Sequence, residues 1–164
     1  MTSSSYIYGY FFTILVAILA ISLTVVPIPQ QLIWVWPQWL LILVLYLVFT
    51  RPAKYGIYFG FFLGLLTDVI VGNILGLHAL TYTVFAYFLS KMNQRIAFFH
   101  TIQQILLFFA LIAIDRCLAL LFSGMGISYI FIVYLLSSSI VSLLVLLIFS
   151  RLFGSRAQLL KFVR

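Results

Sequence analysis

Few side chains in this sequence combine reactivity with an unusual setting, and they are Asp68, Asp115, Arg116, His78, His100 and Cys117. Asp68 and Asp115 are the only acids in 164 residues, and both sit inside apolar runs. Carboxylates and an Arg in such surroundings could move a proton or hold a charged substrate, and ionisable groups within a membrane are functional hypotheses by default. The competing reading is a buried structural network. Without a ladder of further carboxylates to relay protons, two acids and one Arg fit structure better. Cys117 stands alone, so no intramolecular disulfide can form. His78 and His100 sit near opposite faces of the membrane, and no Cys or His cluster has metal-ligand spacing. A Gly-rich phosphate loop, a nucleophile elbow and an H-E-x-x-H pair are all missing. The expectation is therefore no catalytic residue, no metal and no cofactor.

Gly56, Gly60, Gly64, Asp68 and Gly72 recur every four residues, which lines them along one face of a helix. Glycine removes side chains so that another backbone can approach closely. The ladder is either a groove in which the bundle packs on itself or a surface for a separate protein. The same stripe presents Asp68 to its neighbour. Counted from the basic end of each run, Asp68 lies roughly 20 Å along its helix and Arg116 roughly 17 Å along another that runs the same way. Matching depths predict an Asp68–Arg116 pair, because a lone charge at the bilayer centre costs at least about 2.5–3.5 kcal/mol. Asp115 and Arg116 point about 100° apart on one helix. Asp115 must then share the Arg, accept from a hydroxyl such as Thr81 or Tyr82, or be protonated through desolvation.

Those positions require helices in lipid. The chain is 66% hydrophobic and 7% charged, with a mean hydropathy of +1.29, against about 25% charge in soluble domains. Crossing a hydrocarbon core of roughly 30 Å takes about 20 apolar residues, and six segments qualify. They cover about 8–26, 32–49, 55–71, 74–89, 105–122 and 129–149. The second holds an ambiguity: either Leu32–Trp36 joins it through a kink at Pro37, or it starts late and is tilted. The fourth starts at Ile74 or Leu77. Arg51 and Lys54, then Lys91 and Arg95, then Arg151, Arg156, Lys161 and Arg164 occupy alternate connections, while the others carry no Lys or Arg. By the positive-inside rule this makes three hairpins with both termini cytoplasmic. Met1–Ser5 lacks the positive region of a signal peptide, so the first span is expected to stay as a membrane helix. The whole is an all-α, six-helix integral membrane domain. Residues 150–164 form a basic amphipathic tail suited to the membrane surface or to a cytoplasmic partner. The net charge of +7 is split among loops rather than striped, which suits anionic lipid and not nucleic acid.

Trp34, Trp36 and Trp39 flank Pro37 at the outer interface, where an aromatic belt is expected; a partner-binding edge is the alternative reading of Trp36, Pro37 and Trp39. Ser138, Ser139 and Ser142 share helix faces in the sixth span and point to close packing rather than a ligand.

The succession P-x-P at 27–29, W-P-Q-W at 36–39, L-x-L-x-L-Y at 41–46, Pro52 after a basic residue, G-L-L-T-D at 64–68, Gly72, L-G-L-H-A-L at 75–80 and A-Y-F-L at 86–89 resembles the rod shape-determining MreD family. Asp115 also falls where that family often has an acid. The resemblance implies a non-catalytic scaffold of the bacterial inner membrane. Such a protein would bind MreC and work with the MreB filament, RodA and its transpeptidase in lateral peptidoglycan synthesis. The glycine ladder, the Trp–Pro segment and the uncharged outer loops would be its contact surfaces. The family's bundle is also similar to the substrate-binding subunits of energy-coupling-factor vitamin transporters, which implies an alternative: Asp68, Asn73, His78 and Arg116 lining an outward-facing pocket. Against it, the Ala-x-x-x-Ala docking motif is absent from the first span, where Ala17 and Ala20 are three apart. A small proton-coupled exporter would instead need a titrating Asp115.

Overall fold

The computed structural model describes residues 3–27, 29, 35–72, 74–96, 98–122 and 129–153. Trp34, Asn73, the 123–128 connection and the tail from 154 lie outside them. Six α-helices and no strand are found among the described residues: α1 Ser3–Val25, α2 Trp39–Thr50, α3 Ile57–Val71, α4 Leu77–Ile96, α5 Thr101–Phe122 and α6 Tyr129–Phe153. Two stretches, Ile102–Phe122 and Tyr129–Arg151, are long and apolar enough to cross a bilayer by themselves.

α2 is the axis of the bundle. Its sequence is apolar all round, and every residue from Leu40 to Val48 is buried, the signature of a helix enclosed on all sides. α1, α3, α4 and α6 all pack on it. At 12 residues it is about 18 Å long, too short to span alone. The helix expected from Leu32 does not run through: Trp36, Pro37 and Gln38 are non-helical, and helix begins at Trp39. Pro37 cannot donate an amide to a preceding turn, and neighbouring helices claim the backbone on either side of it. Ser138 donates to the Trp36 carbonyl at 2.9 Å, and the Gln38 N–H donates to Ser142 Oγ at 3.0 Å.

The basic ends come together. Asn93 Nδ2 donates to the Phe49 carbonyl at 2.6 Å, Phe49 meets Phe108 edge-on, and Tyr46 meets Phe149 likewise. These contacts gather the C-termini of α2, α4 and α6 with the start of α5. Arg51, Lys54, Lys91, Arg95 and Arg151 therefore lie at one end. Arg116 is the one described Lys or Arg toward the other. α4 begins at Leu77 rather than Ile74 and runs seven residues past Leu89, because Leu89 and Ile96 stay buried while Lys91 and Arg95 face outward.

α3 and α4 form the most extensive helix pair, and glycine is the reason. A Cβ on Gly60 would stand 2.7 Å from the Tyr82 carbonyl and 2.9 Å from Ala86 Cβ, and one on Gly64 would meet the His78 carbonyl and Ala79 Cα at 2.5 Å. Both rungs are filled by α4 of the same chain. Gly56 has room, its nearest atom being 3.9 Å away. Gly72 ends α3 in the left-handed region at φ 70, where its N–H donates to the Asp68 carbonyl at 3.0 Å.

Over-packing a close contact costs about 1–3 kcal/mol, so Gly60→Ala and Gly64→Ala should each lower the melting temperature in detergent markedly. Gly56→Ala should shift it little. Thermal melts followed by size-exclusion chromatography will separate the three.

Candidate functional site

Two buried carboxylates, one on α3 and one on α5, meet the first turns of α4 from opposite sides. Asp68 is 1% exposed, and the i+4 ladder that carries Gly60 and Gly64 aims it at the start of α4. There the Gly76 and Ala79 amides donate to Oδ2 at 2.9 and 3.1 Å. The His78 amide donates to Oδ1 at 2.9 Å, and His78 Nδ1 lies 2.8 Å from the same oxygen. The first amides of any helix lack intrahelical acceptors. A carboxylate from another helix supplies them here and meets the positive end of the helix dipole. Gly76, at φ 101, turns the chain so that its own N–H joins the set.

Arg116 is therefore not the partner of Asp68. The depth match holds along the axis, but four nearer donors on the α3–α4 hairpin fill the carboxylate. Arg116 instead reaches Tyr134 OH and the Trp36 carbonyl, both at 3.5 Å, and lies 5.3 Å from the centre of the Tyr134 ring.

Asp115 is also 1% exposed and takes one of the routes expected of it. Thr81 donates to Oδ1 at 2.9 Å, and Gln38 Nε2 donates to Oδ2 at 2.8 Å. One carboxylate thus ties α5 to α4 and to the segment that leads into α2. Trp36, Pro37 and Trp39 are drawn in with it: Pro37 is buried, and the two indoles pack edge-on at 6.1 Å, partly covered. They form part of the bundle rather than a free outer edge.

Sequence reasoning named His78 without pairing it with Asp68, did not single out Gln38, and read Ser138 and Ser142 as close packing rather than as clamps on the main chain beside Pro37. The signal for His78 was present: an acid in the last turn of one helix, eight residues before Gly76-Leu-His78 at the start of the next, can cap that start from the preceding helix as a local cap residue would. Among the described residues, no three His, Cys, Asp or Glu side chains gather as a metal site would need. The residues proposed to line a vitamin pocket do not form one set. Asp68 and His78 bind each other, Arg116 lies elsewhere, and Asn73 is outside the described residues.

What the arrangement can do is hold helices together in lipid. The model of the rod shape-determining protein MreD family matches residues 5–156. The chain belongs to the MreD family. It is 36% identical over 74 residues to the rod shape-determining protein MreD of Haemophilus influenzae, covering 45% of this chain and 46% of that one. The alignment thus spans about half the length of that relative. No solved structure matches the chain. Membership makes this a membrane protein of a shape-determining family.

The geometry sorts the acids by mutation. Asp68→Asn loses a charge-assisted acceptor for several amides and should cost about 2–4 kcal/mol, since hydrogen bonds to charged groups contribute about 1.5–3 each. Combining Asp68→Arg with Arg116→Asp should recover none of it, as the two do not touch. Asp115→Asn should be mild if the Gln38 amide turns over, because Gln38 Oε1 is buried without a partner; Asp115→Leu should be severe. Melting temperatures of the purified variants will test all four.

Proposed function

We propose that this chain is a non-catalytic, multi-pass scaffold of the bacterial cell-elongation machinery. It spans the inner membrane six times as three hairpins with both termini cytoplasmic. The MreC membrane helix is its direct partner, and MreB, RodA and its transpeptidase belong to the same assembly. Family membership supports the shape-determining role. The observation that carries the scaffold reading is that both acids of the chain are committed to intramolecular hydrogen bonds that fasten one helix to another. Neither is held in readiness for a substrate. The clustering of Arg51, Lys54, Lys91, Arg95 and Arg151 at one end supports the topology.

The contact surface differs from the sequence-based expectation. α4 fills the ladder at Gly60 and Gly64, and the Trp36–Trp39 segment is folded into the bundle. MreC accordingly meets an outward apolar face, such as that of α3 and α4, where Tyr58, Phe62, Val69, Leu75 and Leu80 are exposed. The vitamin-transporter reading gains no observation, since of its described pocket residues Asp68 and His78 bind each other and Arg116 reaches Tyr134 and Trp36 instead.

Depletion of the protein in a rod-shaped host should make cells widen and round in any medium, and wild-type protein supplied in trans should restore rods. Cell width measured with and without vitamin supplements checks this. Rods that merely stop growing until vitamins are added would overturn the scaffold reading.

A further inference from the structure

Arg116 makes no contact ion pair with either acid of the chain. The chain has two acidic side chains, and both are engaged elsewhere: Asp68 by His78 and three amides, Asp115 by Thr81 and Gln38. The one side-chain ion pair among the described residues is His78–Asp68. Arg116 Nε is buried with no partner, and the two Nη contacts sit at 3.5 Å, the outer limit of a hydrogen bond. Guanidinium is always charged and has five donors to place. An uncompensated charge within an apolar bundle calls for a partner from outside the chain.

Further unfilled donors sit on residues connected to it. Trp36 Nε1, Trp39 Nε1 and Ser139 Oγ are buried without partners. All three belong to residues linked to Arg116: the Trp36 carbonyl accepts from it, Trp39 packs on the Trp36 ring, and Ser139 adjoins the Ser138 that also holds that carbonyl. Gln38 Oε1 is the one orphan acceptor here, on an amide already committed to Asp115. Of the seven buried side-chain atoms without a partner among the described residues, these five lie in this region; the others, on Ser90 and Gln104, do not. The Asp115 carboxylate, about 100° around the helix, attracts Arg116 at a distance but has its oxygens taken by Thr81 and Gln38 and forms no contact pair with it, so the guanidinium donors stay unfilled.

We propose that Arg116, with Trp36, Trp39 and Ser139, binds a phosphate group, the multidentate oxygen acceptor that a guanidinium fork and indole N–H groups recognise together. Arg116 lies about 22 Å along α5 from Thr101 and about 9 Å short of Phe122, toward the end of the bundle opposite the basic loops. A phosphate at that depth reaches the site either as the headgroup of an amphiphile in the outer leaflet or as a free anion from the outer aqueous side.

The test is native mass spectrometry of the full-length protein in detergent, titrated separately with short-chain phosphatidylglycerol, diacylglycerol and inorganic phosphate. Phosphatidylglycerol should form a saturable one-to-one adduct and diacylglycerol should not. Arg116→Gln should weaken the adduct at least tenfold and Trp39→Phe several-fold, while Lys91→Gln at the opposite end leaves it unchanged. Inorganic phosphate that displaces the lipid at millimolar concentration would make the source a free anion; failure to displace it makes the source the headgroup. Equal binding of diacylglycerol, or undiminished binding by Arg116→Gln, overturns the site. Should Arg116→Gln fail to fold, Trp39→Phe decides: it keeps an aromatic ring beside Trp36 but removes the indole N–H together with the five-membered ring, and unchanged affinity there overturns the proposal.

Discussion

One carboxylate holds the end of the α3–α4 hairpin, and the rest of the bundle is built against that hairpin. A helix that starts inside an apolar assembly has backbone N–H groups that neither its own turns nor water can satisfy. Asp68 meets three amides around the start of α4 and adds the His78 ring. It can do so only because Gly60 and Gly64 let α3 lie against the α4 backbone. Glycine contact and carboxylate cap depend on each other: without the close approach the carboxylate would fall short, and without the cap the approach would bury unpaired amides. The four-residue period serves both, since it places them on one face.

A second consequence concerns α2. A helix of about 18 Å at the centre of a membrane protein leaves irregular backbone within the bundle, which is tolerated only where protein surrounds it. The Trp36–Gln38 segment meets that condition through α6 serines and the α5 carboxylate. Ser138 and Ser142, one turn apart, hold the carbonyl and the amide on the two sides of Pro37. Asp115 then takes Gln38 on one oxygen and Thr81 on the other. The polar residues of three helices thus converge on the place where the main chain departs from helix.

The sequence showed that Asp68 and Asp115 needed partners, because a charge in lipid is costly whatever the fold. It also showed that the glycine period marks a close approach, and it named Thr81 among the hydroxyls able to serve Asp115. It misassigned Asp68 because depth along a helix is one coordinate. Rotation and neighbour order are the others, and neither can be read from hydropathy. Sequence proximity was the better guide: His78 is ten residues from Asp68 across a tight hairpin, whereas Arg116 had to be reached across the bundle. The late start of α2 was half legible, since Pro37 announced an interruption. That Trp36 and Gln38 would be held out of helix depended on serines about a hundred residues away.

These placements bear on how a shape-determining membrane protein can recognise anything. Lipid tails are as apolar as leucine, so apolar faces such as those of Phe62 and Val69 supply no hydrophobic drive toward a partner helix. Association in the bilayer rests on close packing and on polar groups that find a match. In this chain the small residues Gly60 and Gly64 are consumed by α4, and the acids are consumed by the first turns of that helix and by Gln38. The polar capacity still unspent lies mainly around Arg116 and the two indoles, toward the end opposite the basic loops. On the proposed phosphate site, polar selectivity is concentrated where α5, α6 and the start of α2 meet, and the apolar face of α3 and α4 is left for close packing against a partner helix.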